Sequence, residues 1–208
     1  MEFLVTMTTH VPAGTSDDAV AEIRAREAAH SADLAAAGQL LRLWRPPLEP
    51  GEWRTLGLFA ADSPGQLQDV LISMPLHIWR TDEVTPLSAH PNDPAATGVR
   101  PEDGSVTAGT EFFTTFTEQI PPGTPATAVA EGRAGEARRT RELTRQGHLL
   151  RLWKLPPENQ ALGLWRAADS AEVQSMLSSL PLDKWLSVQT TQLSPHPSDP
   201  AATAAAAG

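Results

Sequence analysis

The first half of this chain can be laid on its second half. With a shift of 109 residues Phe3 falls on Phe112, Pro12 on Pro121, Gly14 on Gly123, Glu27 on Glu136 and Gly38 on Gly147, and the run Leu-Leu-Arg-Leu-Trp recurs at 40–44 and 149–153. Past the next loop the shift falls to 106. Leu56-Gly57-Leu58 then meets Leu162-Gly163-Leu164, Met74-Pro75-Leu76 meets Leu180-Pro181-Leu182, Trp79 meets Trp185, and His90-Pro91 meets His196-Pro197. The fall from 109 to 106 gives the first copy three extra loop residues. A period this long exceeds that of stackable solenoid units, so each copy is expected to be a complete small domain. The reading is one repeat over 1–94, a linker over 95–109, a second repeat over 110–200 and a disordered tail over 201–208. The linker lacks apolar periodicity and is rich in Pro, Gly and small polar residues, and the tail is almost all alanine.

Within a copy the order of elements is strand, helix, strand, strand, helix, strand. Residues 3–11 are short and rich in β-formers, and Pro12-Ala13-Gly14 ends them. Thr15 or Ser16 offers an N-cap oxygen, and Asp17 and Asp18 suit the positive end of a helix. That helix runs to Gly38, a C-terminal stop matched by Gly147. Strands follow at 39–45, halted by Pro46-Pro47, and at 53–61, then a shorter helix at 65–73 and a last strand at 83–87. The fold class is α+β: two ferredoxin-like βαββαβ repeats. One such sheet leaves a face uncovered, which predicts packing sheet to sheet as an internal dimeric α+β barrel.

Charge and composition remove whole classes of function. A net charge of −9 repels phosphate backbones, and no cluster of Lys and Arg with aromatics offers a nucleic-acid groove. The chain has no cysteine, so neither a disulfide framework nor a thiolate metal site is expected. No apolar run approaches the roughly 18 residues of a membrane span, and the opening residues do not read as a leader. The expected location is cytoplasmic, with no nucleic-acid and no membrane partner. Six histidines without ligand spacing, no phosphate loop and no nucleophile elbow predict no metal and no cofactor.

One residue conflicts with the pattern around it. The inward stripe of the first helix is Val20, Ile23, Glu27, then His30 or Ser31, then Leu34; in the second copy it is Val129, Gly132, Glu136, Arg139, Leu143. Glutamate holds the same inner place twice. An ionised carboxylate costs several kcal/mol to bury unless paired, and burial raises its pKa toward the range of a general base. Both glutamates therefore predict a cavity. The plainer alternative is a rim glutamate that reaches outward or pairs with Arg24 or His30.

Each repeat resembles a subunit of the muconolactone isomerase family. The resemblance is carried by the opening Phe-x-Val-x-Met-Thr, the helix glutamate, the Gly before a strand ending Leu43-Trp44-Arg45, the Met74-Pro75-Leu76 turn and His90-Pro91. It implies a carboxylate that takes a proton from beside the double bond of an unsaturated lactone and returns it at the far end, with donors stabilising the dienolate oxygen. Carried over, Glu27 and Glu136 are the catalytic acids. The family places a tyrosine and, two residues on, an asparagine at the start of the third strand. Here those positions hold Trp53 and Thr55, then Asn159 and Ala161, and the chain has no tyrosine. Trp53, Thr55 and Asn159 are the candidate substrate-binding residues. An indole donates and stacks but is no phenol acid, which implies a substrate other than muconolactone.

One turn past each glutamate stands His30 in the first copy and Arg139 in the second. A histidine relays protons and an arginine holds its neighbour ionised, so His30 joins the catalytic candidates and the first copy is expected to be the more competent. His90 and His196 are read as caps of a turn after the last strand. The expected activity is a cofactor-independent isomerase, lyase or cyclase acting on a small apolar lactone or carbonyl compound, with homo-oligomers of fused chains possible. The rivals are a non-catalytic hydrophobic-ligand binder or assembly protein, and a cofactor-free oxygenase.

Overall fold

The computed structural model describes residues 1–202. By contacts the chain forms two compact units that do not follow the repeats: one is Met1–Leu87 together with the chain from Ser194, the other is Ser88–Leu193.

The first unit opens with β1 (Glu2–Thr9), where strict alternation buries Phe3, Val5, Met7 and Thr9 on one face. The helix α1 (Asp17–Ala36) is capped by Ser16, whose side chain accepts from the Ala19 N–H, and Gly38 ends it at φ 71. Next come β2 (Leu40–Arg45), β3 (Arg54–Ala60), α2 (Pro64–Ser73), a 3₁₀ turn (Pro75–Trp79) and β4 (Arg80–Ala89), whose last two residues belong to the second unit. β1 lies between β3 and β4, and β3 also pairs with β2, all antiparallel. A core of Phe3, Val5, Met7, Leu34, Leu40, Phe59, Leu67 and Leu71 fills the space between sheet and helices. Gly57 faces Val5 across the ladder, and a Cβ there would overlap the Phe59 ring. The repeated Leu-Gly-Leu thus lets an aromatic two residues on lie flat across the strand.

The second unit repeats this plan. It holds α3 (Pro94–Thr97), β5 (Thr110–Glu118), α4 (Ala126–Arg145), β6 (Leu149–Leu155), β7 (Gln160–Ala167), α5 (Ser170–Ser178), a 3₁₀ turn (Asp183–Trp185) and β8 (Leu186–Pro195) up to Leu193. β5 lies between β7 and β8, and β7 also pairs with β6. The predicted βαββαβ order is therefore present twice.

Each unit is completed by a segment from the other repeat. In the first unit Ser194 and Pro195 pair with Arg45 and Trp44; in the second, Ser88 and Ala89 pair with Lys154 and Trp153. An aspartate then latches each segment. Asp199, 1 % exposed, accepts from the Leu43 N–H at 3.0 Å and pairs with Arg42 at 3.0 Å. Asp93 does the same to the Leu152 N–H at 3.0 Å and to Arg151 at 3.3 Å. Both N–H groups follow a register shift, between 40 and 42 and between 149 and 151. The guanidiniums of Arg42 and Arg151 lie 4.7 Å over Trp44 and Trp153.

Residues 95–109, expected as a linker, include most of α3, and the Glu102 and Val106 N–H groups donate to the Arg145 and Gln146 carbonyls at the end of α4. Of the tail expected at 201–208, 201–202 continue a helical turn begun at Pro200, and 203–208 lie outside the described residues. Among the described residues no helix is long and apolar enough to cross a membrane.

Candidate active sites

The Met74-Pro75-Leu76 turn explains where Glu27 goes. Proline at the start of a 3₁₀ turn has no N–H, which leaves the Leu76 N–H as the first free donor. Glu27 Oε2, on the inner face of α1, accepts it at 2.8 Å. In the second unit Glu136 Oε2 accepts the Leu182 N–H at 3.1 Å after Leu180-Pro181. Gly132 and Gly135 let α4 press onto that turn: added Cβ atoms would stand 2.8 Å from Leu182 Cδ2 and 3.1 Å from Pro181.

Both carboxylates border a cavity. The one beside Glu27 has a volume of about 270 Å³, and its walls include Arg24, Arg45, Trp53, Thr55, Arg80 and His196. The one beside Glu136 has a volume of about 460 Å³, and its walls include His90, Lys154, Asn159, Gln160, Ala161 and Trp165. The Glu27 side chain is 13 % exposed, so it faces the hollow and not bulk water.

The two carboxylates differ in what neutralises them. Glu27 Oε1 lies 3.3 Å from Arg80 Nη1, and Arg80, 2 % exposed, also pairs with Asp82 at 2.6 Å. Glu136 has no cationic partner among the described residues, since Leu186 stands where the first copy has Arg80. Burial pushes both carboxyls above the usual carboxylate range. For Glu27 the Leu76 N–H, Arg80 and His30 oppose that rise, with Asp82 adding slightly to it; for Glu136 the Leu182 N–H opposes it, and the charges of Asp183 and Glu118 add to it.

The other sequence candidates are placed as follows. Trp53 lines the first cavity with Arg24 stacked 5.4 Å over its ring, and Thr55 lines it from β3. Asn159 lines the second cavity, and its Nδ2 donates to the Glu118 carbonyl at 3.3 Å. His30 Nε2 is hydrogen-bonded to Ser73 Oγ at 2.8 Å, so it acts on Glu27 through charge alone. The expected Arg139–Glu136 pairing is also not made: Arg139 bonds Ser179 Oγ at 2.9 Å and pairs with Glu142 at 2.8 Å. Ser31 and Thr140 take the inner places instead. Sequence reading missed Arg80 as the partner of Glu27, and it missed His90 and His196 as cavity wall. The signal for the histidines was there, since Ser-x-His-Pro-x-Asp-Pro occurs at both 88–94 and 194–200. Among the described residues no group of three His, Cys, Asp or Glu is placed to hold a metal ion.

Comparison with known proteins agrees with the repeat. The model of the muconolactone delta-isomerase family matches residues 1–93 and again 110–199. Muconolactone Delta-isomerase 1 of Acinetobacter lwoffii is 34% identical over 92 residues, 44% of this chain and 93% of that protein. Muconolactone Delta-isomerase of Rhodococcus opacus is 28% identical over 91 residues, 44% of this chain and 95% of that protein. Among solved structures, a heme-binding protein from Thermus thermophilus matches with a TM-score of 0.58 at 12% identity, over 95% of this chain and 93% of that one. A chlorite dismutase variant from Candidatus Nitrospira defluvii matches with a TM-score of 0.60 at 8% identity, over 93% and 91%. At such identities the likeness is one of fold alone, and the fold is that of the dimeric α+β barrels.

Proposed function

Since the chain belongs to the muconolactone delta-isomerase family, we propose that it moves a proton between carbons of a small unsaturated lactone or conjugated carbonyl compound, with Glu136 as the principal proton carrier and Glu27 as the second. The observation that carries this reading is a buried carboxyl in each unit, held by one backbone N–H and bordering a cavity. Glu136 leads because no cation among the described residues holds it ionised, and burial raises its pKa, which makes its carboxylate the stronger base.

In the reaction the carboxylate removes a proton from the carbon next to the double bond. The electron pair shifts through the conjugated system onto the carbonyl oxygen, and the carboxylic acid returns the proton at the far carbon. The double bond moves and nothing is oxidised or reduced, so the step needs no electron carrier. Trp53 with Thr55, and Asn159 with Ala161, replace the polar pair of the resembled family, which supports a substrate other than muconolactone itself.

A panel of β,γ-unsaturated butenolides and enones in deuterated buffer tests the proposal. Wild-type protein is expected to place deuterium on the ring carbons. Glu136→Gln removes most of the exchange, and Glu27→Gln with Glu136→Gln removes all of it. Exchange at the wild-type rate in the double variant sinks the proposal, and saturable binding without exchange makes the protein a ligand binder.

A further inference from the structure

We propose that His90 and His196 are catalytic hydrogen-bond donors: each presents an Nε2–H to the cavity of the unit its segment completes, and that N–H receives the substrate oxygen on which negative charge collects. The inference rests on the proton-transfer reading above, and supplies the donor that the chain lacks with its tyrosine.

The geometry is the same in both units. His90 lines the Glu136 cavity and His196 lines the Glu27 cavity. His90 Nδ1 accepts the Asn92 N–H at 3.1 Å, and His196 Nδ1 accepts the Ser198 N–H at 3.1 Å. A ring nitrogen that accepts carries no proton, so the neutral imidazole carries it on Nε2. Capping a turn needs only an acceptor, which Asn or Asp supplies with a shorter side chain. The imidazole adds a second polar atom, and that atom belongs to a side chain in the cavity wall. Three residues further on, Asp93 and Asp199 fix each segment through buried hydrogen bonds, so the ring is held before substrate arrives.

Burial, helped by nearby cations, keeps the ring neutral. Burial and the nearby Lys154 push His90 down to about 4 against the opposite pull of Asp93. Burial with Arg45 and Arg24 does the same to His196, again to about 4, against Asp199. A neutral imidazole N–H is too weak an acid to lose its proton to a dienolate, so it stabilises the intermediate without trapping it. The catalytic acid and its donor come from different repeats: Glu136 lies in the second and His90 in the first. Neither repeat holds a complete site in its own sequence.

Proton–nitrogen correlation spectra of ¹⁵N-histidine-labelled protein read the rings directly, with His90→Ala and His196→Ala to assign them. Both are expected as the Nε2–H tautomer from pH 8 down to pH 5.5. Saturation with 4-nitrophenolate, a mimic of the dienolate oxygen, is expected to move the His90 Nε2–H proton downfield. An Nδ1–H tautomer, a cationic ring at pH 6, or an Nε2–H unmoved by millimolar phenolate overturns the proposal. The kinetic arm uses His90→Asn in the Glu27→Gln background, which keeps the turn acceptor and removes the cavity donor. Butenolide deuteration is expected to fall about 100-fold in kcat with KM and thermal midpoint unchanged; an unchanged kcat overturns the assignment. If Glu136→Gln in the same Glu27→Gln background keeps full exchange, the proton-transfer reading fails instead, and the spectra still decide how His90 meets an oxyanion.

Discussion

Arg80 Nη1 stands 3.3 Å from Glu27 Oε1, and the position that matches Arg80 in the second repeat is Leu186. One repeat thus keeps its inner carboxylate beside a buried cation, and the other keeps it beside hydrocarbon. The exchange is not isolated. Asp82, the second partner of Arg80, matches Val188, so an ion-paired set of Arg and Asp in one unit is an apolar pair in the other. Buried ion pairs are commonly replaced by apolar residues together, because removing one partner alone leaves a charge stranded. From the local sequence, the partner of Glu27 was expected at Arg24 or His30 and that of Glu136 at Arg139. The partner comes instead from β4, 53 residues away from Glu27 in the sequence.

Transplanting the apolar pair should make the two sites alike. Arg80→Leu with Asp82→Val is expected to fold, to raise the Glu27 pKa further and to bring the proton exchange of that cavity up toward that of Glu136. Arg80→Leu alone should lose about 3–5 kcal/mol of stability, since it leaves Asp82 and Glu27 buried without a cation. Carboxyl ¹³C titration of Glu27 together with urea unfolding reads both effects. A Glu27 titration that does not move in the double variant excludes Arg80 as its controlling partner.

The raised carboxyl of Glu136 sets a pH dependence. Its folded-state pKa lies above the ordinary 4.5, so between those two values the folded protein holds a proton that the unfolded chain has lost. Stability contributed at this site is therefore full below about pH 4.5, falls as pH rises through the folded pKa, and is flat above it. Glu136→Gln removes that slope and keeps an oxygen for the Leu182 N–H. The variant should match wild type near pH 4 and melt at a higher temperature at pH 8. A stability difference that is constant from pH 4 to 8 rules out the raised pKa.

Much of this was legible in the sequence for a simple reason. The repeat, the alternation of Phe3, Val5 and Met7, the Ser16 cap and the stop at Gly38 are local signals, and each element stands within a few residues of its expected bounds. The inward place of Glu27 and Glu136 was also local, a matter of helical period. What could not be read was long-range: which segment completes which unit, and which charge meets which carboxyl. Asp199 meets Leu43 and Arg42 across more than 150 positions, and nothing in a window of ten residues encodes that. The backbone hydrogen bonds that Glu102 and Val106 make within the linker leave no side-chain pattern to read.

Trp165 gives a test of divergence inside the core. Its ring lies over Gly163 as the Phe59 ring lies over Gly57, but its Nε1–H is buried with no hydrogen-bond partner among the described residues. Loss of ring volume normally destabilises, while removing an orphaned donor recovers about 1–3 kcal/mol of desolvation. Trp165→Phe, which copies the first repeat, is expected to change stability by less than about 1 kcal/mol and to enlarge the Glu136 cavity that Trp165 lines. Chemical denaturation measures it. A loss well above that range means the indole N–H does find a partner, such as a water.

The aspartate latches should control both stability and site assembly. Asp93 and Asp199 are 3 % and 1 % exposed, and each joins an arginine and a backbone N–H at the register shift of a strand. Replacing either by Ala leaves that N–H buried with no acceptor and takes one ion pair from the arginine, a loss of about 3 kcal/mol. The effect should be local to one unit. Asp93→Ala should loosen His90, so that its ring loses the fixed tautomer while His196 keeps its own; Asp199→Ala should do the reverse. Amide hydrogen exchange at Leu152 and Leu43 reports which latch has opened. Equal loosening of both histidines by either substitution would show that the segments are not held by their own aspartates.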